Sequence, residues 1–261
     1  MGLTATPFRR EYVEDDPEAG TQELRDIFGN LIGPTDTLGE NVRATLQDRG
    51  ILARPAFETI VTNTPMRMPA LDFGVPTEEE VERIDRDLAA RADNPRRRLV
   101  VLDRIVPLAQ DPRNLILYFG PSVRDAECMA FLLRERQVPA AVISGNTREA
   151  TRRRTIDRFK RAELRVLCNC EVLTTGFDAP KVSHVVMARP TVSQVLYEQM
   201  IGRGLRGRVF GGTETCVILD CQDDFGSAPV RPELGYRRFR RIWQQETAGQ
   251  GTTSVSPTSQ N

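Results

Sequence analysis

Three short stretches of this chain hold residues that could do chemistry, and the spacing of the first suits the handling of a phosphate chain. The first runs Gln199-Met-Ile-Gly202-Arg203-Gly-Leu-Arg206-Gly207. Read as a helix, positions 199, 203 and 206 follow i, i+4, i+7, so one amide and two guanidinium groups would share a face. Two planar guanidinium groups a turn apart form a fork able to hold phosphate oxygens through several charge-assisted hydrogen bonds. Gly202 keeps that face low, so that a ligand or a partner backbone can approach. A helix with outward arginines is often only solvated, and the glycines on both sides are what weigh against that plainer reading.

The second stretch is Glu171-Val-Leu-Thr174-Thr175-Gly176-Phe-Asp178-Ala-Pro180, directly after an apolar run ending near Cys170. Ligands of open α/β sheets sit at the carboxyl ends of strands. A Thr-Thr-Gly turn there offers hydroxyls and backbone donors, and Asp178 is an acceptor suited to a sugar hydroxyl. An ordinary turn, with Asp178 bonding its own backbone before Pro180, is the alternative. The third stretch, Gly2-Leu-Thr4-Ala5-Thr6-Pro7-Phe-Arg9, taken alone reads as an unstructured start.

These residues need a scaffold, and residues 111–220 supply the pattern of one. Strand-length apolar runs at Leu115 to Phe119, Ala140 to Ile143, Arg165 to Cys168, His184 to Met187 and Cys216 to Leu219 alternate with helix-length amphipathic stretches. That alternation predicts βαβ units and a parallel sheet. Ser122 to Gln137 has Val123, Ala126, Met129, Ala130 and Leu133 at helical spacing. Thr147 can cap the next helix, with Ala150, Ile156 and Phe159 facing inward, and Thr191 or Ser193 can start another that Gly207 ends. Upstream, Thr77-Glu-Glu-Glu opens a surface helix to Arg91 with a capping-box signature. Leu99 to Leu108 predicts a second helix, Glu40 to Gly50 a short one, and Ala56 to Thr62 a strand. Glu11 to Gly20 reads as an acidic loop. The domains expected are an irregular N-terminal connector over 1–76, the α/β domain over 77–225, a helical extension over 226–244 and a disordered tail over 245–261.

Composition closes several routes. Positive and negative side chains number 36 each, so bulk charge argues neither for nor against nucleic acid. Lys160 and Lys181 are the only lysines, and neither stands in the Gly-Lys-Ser/Thr of a Walker A loop. Cys128, Cys168, Cys170, Cys216 and Cys221 form no Cys-x-x-Cys pair and His184 is the only histidine, so no metal site is expected. His184 reads as a satisfied strand-edge histidine and the cysteines as small hydrophobes. No apolar run of about 18 residues predicts a membrane span, and Met1 to Arg10 lacks the apolar core of a secretory signal, which leaves the cytoplasm as the expected compartment. No Gly-x-Gly-x-x-Gly turn follows a strand, which argues against a dinucleotide-binding enzyme. In Arg148 to Arg161, the pairs Glu149/Arg153 and Asp157/Arg161 can stabilise an exposed helix, with phosphate contact the alternative. Arg231, Arg237, Arg238, Arg240 and Arg241 interleave with Tyr236, Phe239 and Trp243, a pattern open to nucleic-acid contact or to a packed amphipathic helix.

In this order the stretches resemble the superfamily 2 helicases. Thr4-Ala5-Thr6 is similar to that family's motif III, Leu115 to Phe119 to motif IV, Glu171 to Pro180 to motif V and Gln199 to Arg206 to motif VI. Ser144-Gly145 followed by Arg152 to Phe159 fits the family's pattern between motifs IV and V. The style of the first and last motifs is closer to DEAH-type repair and restriction DNA translocases than to the DEAD-box group. The resemblance implies a RecA-like domain of the P-loop NTPase superfamily, the helicase C-terminal domain. It implies Arg203 and Arg206 as arginine fingers toward a γ-phosphate held by another domain, and Gly176, Asp178, Gln199 and Gly202 on the nucleotide side of the cleft. Thr4, Ala5 and Thr6 would couple hydrolysis to movement. Phe119, Gly120, Ser122, Ser144, Gly145, Thr174 and Thr175 would follow a DNA or RNA backbone. Gln199 stands where many relatives have histidine. Motif III begins three residues after Met1, so the Walker A lysine and the Walker B Asp-Glu are expected on a separate domain or subunit; Asp15-Asp16 and Asp223-Asp224 fit neither. ATP and Mg²⁺ are then expected only in combination with that part, and the chain alone is expected not to turn over. A non-catalytic remnant that binds nucleic acid or protein is the competing function.

Overall fold

The structure is a computed structural model that describes residues 42–66, 77–170, 179 and 181–225. Residues 4–6, the stretch containing Thr174, Thr175, Gly176 and Asp178, the basic cluster from Arg231 to Arg241, and the expected extension and tail lie outside the described residues.

A six-stranded parallel sheet organises the fold, in the order β1-β6-β5-β2-β4-β3. Its strands are β1 (Arg54–Pro65), β2 (Ile116–Phe119), β3 (Ala140–Ile143), β4 (Val166–Asn169), β5 (His184–Met187) and β6 (Thr215–Asp224). The helices are α1 (Val42–Asp48), α2 (Glu78–Ala92), α3 (Pro95–Gln110), α4 (Val123–Glu135), α5 (Glu149–Lys160) and α6 (Gln194–Ile201), with a 3-10 turn at Arg208–Phe210. Residues of β2, β4 and β5 are buried throughout because both sheet faces are covered, which is why these strands read as unbroken apolar runs. Alternation sorts them into two cores. Leu117, Phe119, Leu167, Val185 and Met187 pack with Phe159 of α5 and Tyr197, Met200 and Ile201 of α6. Ile116, Tyr118, Val166, Cys168 and Val186 pack on the other face with Leu102 and Ile105 of α3 and Met129 and Leu133 of α4.

Local signals explain most helix starts. Thr77 and Glu80 form the expected capping box, Thr77 Oγ1 accepting from the Glu80 N–H at 3.3 Å and Glu80 Oε2 accepting from the Thr77 N–H at 2.7 Å. Asn94 caps α3, with Pro95 at its first position, four residues ahead of the start expected at Leu99. Ser193 caps α6 and Ser122 caps α4.

The structure corrects several expectations. The sheet reaches upstream of residue 77, because β1 pairs in register with β6 from Arg54↔Thr215 to Val61↔Gln222. Residues 54–65, which contain the strand expected over Ala56 to Thr62, thus belong to the α/β layer. Thr147 does not cap α5: its hydroxyl accepts from the Ser144 N–H at 2.9 Å, and Arg148 occupies the cap position. Ala150 is exposed, while Ile156 and Phe159 face inward as expected. Arg153 pairs with Glu149, but Arg161 pairs with Glu163 in place of Asp157.

Candidate nucleotide and nucleic-acid site

Neighbouring strands β2 and β5 send their following helices, α4 and α6, to opposite faces of the sheet. Such a switch opens a crevice at the carboxyl ends of the strands. Phe119 closes β2 and is only 1% exposed, so its side chain belongs to the core. Its carbonyl accepts from the Arg189 N–H at 2.9 Å, and the Gly120 N–H donates to the Asn169 carbonyl at 2.8 Å. Ser122 Oγ accepts from the Asp125 N–H at 2.9 Å and donates to Asp93 Oδ2 at 2.7 Å. Buried Ser144 gives its carbonyl to Arg152 Nη2 at 3.0 Å. Gly145 is exposed, with open space where a Cβ would stand. The expected backbone track is therefore mostly an edge of internally committed groups, with Gly145 on the open surface.

Beneath this edge lies a buried polar network that periodicity does not reveal. Arg97 holds Asp223 through Nε–Oδ1 at 2.7 Å and Nη2–Oδ2 at 3.1 Å, and donates to the Ala188 carbonyl at 2.8 Å. Thr62 Oγ1 adds a bond to Asp223 Oδ1 at 2.5 Å. The first turn of α3 is thereby fixed to the ends of β1, β5 and β6. Arg98 Nε meets Asp125 Oδ1 at 2.7 Å and its Nη2 meets Asp93 Oδ1 at 2.5 Å, while Tyr118 donates to Asp125 Oδ2 at 2.5 Å. Burial pushes the Asp125 carboxyl up, against the hydrogen bonds from Tyr118 and Arg98 that lower it. Asp85 accepts from the Thr191 hydroxyl at 2.5 Å and the Val192 N–H at 2.7 Å, fixing the start of α6.

The arginine segment differs from its expected form. Helix α6 ends at Ile201; Gly202 and Arg203 lie in a turn, and Arg206 forms an antiparallel bridge with Leu52. Gln199, Arg203 and Arg206 are each half-buried, but they do not share one helix face. Gly202 is exposed, and a Cβ there would stand 2.9 Å from the Glu198 carbonyl oxygen of its own turn. Close approach occurs at Gly204 and Gly207. A Cβ at Gly204 would stand 2.6 Å from both Cys216 Sγ and Val185 Cγ2, and one at Gly207 would stand 2.1 Å from the Gly50 carbonyl oxygen. What approaches is the chain's own core and backbone. A Cβ at Gly204 would also stand 3.5 Å from Val182 Cγ1, and Ala179, Val182 and Leu205 share one core cluster.

Other titratable groups stand apart from this arrangement. Burial pushes the thiols of Cys168, Cys216 and Cys221 up, Cys221 to about 12, as suits packing residues. His184, at the start of β5, bonds Ser183 Oγ through Nδ1 at 2.8 Å, and burial lowers its pKa. Among the described residues no cluster of His, Cys, Asp and Glu could hold a metal, and no helix is long and apolar enough to cross a membrane.

With this geometry in view, comparison with known proteins gives the class. The sequence profile of the helicase conserved C-terminal domain matches residues 97–208. The putative ATP-dependent helicase IRC3 of Saccharomyces cerevisiae is 33% identical over 104 residues, 40% of this chain and 15% of that protein. The putative mitochondrial ATP-dependent helicase irc3 of Schizosaccharomyces pombe is 42% identical over 96 residues, 37% of this chain and 15% of that protein. The solved C-terminal domain of the DEAD-box protein Dbp5 aligns with 57% of this chain and 78% of its own at 22% identity, with a TM-score of 0.42. The matched part of this chain thus spans about 15% of the length of its two helicase relatives. Residues 97–208 form a superfamily 2 helicase C-terminal domain, within a RecA-like parallel sheet.

Proposed function

We propose that this chain serves as the C-terminal half of a nucleic-acid-dependent ATPase motor in the cytoplasm. Arg203 and Arg206 reach the terminal phosphate of an ATP·Mg²⁺ that a separate Walker-bearing domain holds, and they stabilise charge as it develops in phosphoryl transfer. Gln199, Gly202, Gly176 and Asp178 border the nucleotide, and Thr4, Ala5 and Thr6 couple hydrolysis to movement. The carboxyl edge, with Gly145 at its surface, follows a DNA or RNA backbone together with Thr174 and Thr175 without reading sequence. One observation supports this reading: the helicase C-terminal profile encloses a turn that keeps two arginines half-exposed and shares a core with Ala179 and Val182.

The test is fluorescence anisotropy of the full chain with a labelled single-stranded oligonucleotide across a salt series, alongside an ATPase assay. Binding should weaken linearly in log–log form with salt and be indifferent to base sequence. ATP hydrolysis should be absent from the chain alone and should appear, sensitive to Arg206→Ala, when a Walker-bearing domain is supplied. Binding without any rescue of hydrolysis would favour a non-catalytic nucleic-acid-binding module. Robust hydrolysis by the chain alone would refute the division of labour.

A further inference from the structure

The arginine turn is held from upstream, by a segment that precedes the whole stretch matched to the helicase domain. The Ala53 N–H donates to the Leu205 carbonyl, the Gly207 N–H to the Ile51 carbonyl and the Val209 N–H to the Gly50 carbonyl, each at 3.0 Å. These bonds flank the Leu52↔Arg206 bridge. Contact is at backbone distance because position 207 has no side chain; a Cβ there would lie 2.6 Å from the Gly50 and Ile51 carbonyl carbons. The segment is one unit with α1, since the Ile51 and Leu52 N–H groups both donate to the Leu46 carbonyl, at 2.9 and 3.1 Å. From α1, Arg43 Nη2 reaches Glu198 Oε1 on α6 at 3.5 Å, where Gln194 Nε2 also donates at 3.1 Å. Leu52 packs on the core that contains Leu205 and Ile201.

We infer that residues 42–53 are a strap that positions Arg203 and Arg206, so that the phosphate-binding geometry of the turn depends on where this upstream segment lies. Helix α6 ends at Ile201, and the Arg203 N–H closes its last turn on the Met200 carbonyl at 3.2 Å, but that ladder does not reach Arg206. The backbone on either side of Arg206, and the turn that joins it to Arg203, is set instead by strand-like bonds to Gly50, Ile51 and Ala53. Within the motor proposed above, on which this inference rests, displacement of the strap withdraws the guanidinium groups from the nucleotide, and a seated strap presents them. Gly207 and Gly50–Ala53 are positioning residues; the phosphate contact belongs to Arg203 and Arg206.

The experiment uses the full chain with inorganic tripolyphosphate as the probe. Binding is read by NMR from the arginine Nε–Hε signals, assigned with Arg203→Lys and Arg206→Lys, and strap seating is read by hydrogen exchange at Ala53, Gly207 and Val209. Gly207→Ala should speed exchange at these amides and weaken tripolyphosphate binding about tenfold, the scale of one displaced charge-assisted contact. Arg43→Gln, which leaves the backbone contact and the core intact, should act in the same direction by about twofold. Faster exchange in Gly207→Ala with unchanged binding would overturn the strap, as would unchanged exchange. Binding in the parent chain that ignores both Arg203→Ala and Arg206→Ala would instead remove the phosphate role of the arginines, and the strap's function with it.

Discussion

Replacing Arg98 by leucine should expose how the carboxyl edge is held together. Arg98 sits between Asp125 and Asp93, its side chain 9% exposed and that of Asp125 2% exposed. Leucine leaves Asp93 within reach of water and of Ser122, but it strands a carboxylate at Asp125 with Tyr118 as its remaining side-chain donor. Breaking a buried pair from one side costs about 3 to 5 kcal/mol, because the partner charge stays buried. With a urea m-value of about 2 to 3 kcal/mol/M for a domain of this size, the unfolding midpoint at pH 7.5 should fall by about 1 to 2 M. The pH dependence is the sharper test. Native Asp125 already holds its proton to higher pH than a free aspartate, because it is buried, and loss of Arg98 extends that range upward. Between the unfolded and native pKa values the native state binds more protons, so acidification favours it. The deficit of Arg98→Leu relative to the parent should therefore shrink by about 1.4 kcal/mol for each unit by which the native pKa exceeds the assay pH. Adding Asp125→Asn, which keeps an acceptor for Tyr118 and removes the charge, should recover much of the loss at pH 7.5. A deficit below about 1 kcal/mol, or one that is equal or larger at pH 5, would show that the network does not confine a buried charge.

Gly204→Ala should destabilise by about 1 to 3 kcal/mol, since its Cβ meets Cys216 Sγ and Val185 Cγ2 at 2.6 Å; Cys216→Ala should partly rescue it in the same melts, and a neutral Gly204→Ala would contradict the close packing. His184 should titrate below 6.5 by NMR. Because the unfolded imidazole binds its proton first, stability should drop as pH falls from 6.5 toward the lowered native pKa, and His184→Gln should abolish that slope. Thr77→Ala should cost about 0.5 to 2 kcal/mol by removing the cap of α2, measured by urea unfolding, with no loss pointing to a frayed first turn.

The central strands were legible because β2, β4 and β5 are apolar runs covered on both faces; Ala140–Ile143 and His184–Met187 match their expected limits, and the others differ at their ends, β6 by running on to Asp224. The capping box at Thr77 was equally plain, since its chemistry is local. What sequence spacing obscured was termination. A 3.6-residue pattern continues formally through Arg203 and Arg206, but Gly202, Gly204 and Gly207 break the helix and admit other parts of the chain, a turn signal that outweighs the periodicity. Phe119 is a related case: the burial of β2 runs on through Gly120 and Pro121 and eases only at Ser122, a point that an apolar run does not mark. Arg97 and Asp223 are 126 positions apart, and no local pattern announces that two charged residues will meet in the interior. Asn94-Pro95 was a readable start for α3 that the apolar spacing alone placed too late.

The order of the strands also bears on how the molecule can be cut. The stretch that matches the helicase profile begins after β1 and stops before β6, yet those two strands lie side by side at one margin of the sheet. A piece trimmed to residues 97–208 would bare the β6-facing side of β5, together with apolar surface from both cores, and would lose the Asp223 carboxylate that accompanies buried Arg97. Such a piece has an open, sticky border and an orphaned internal cation, and it should precipitate or pair with itself. The unit that folds cleanly is set by hydrogen-bonded neighbours across the sheet, and it extends beyond the matched stretch in both directions.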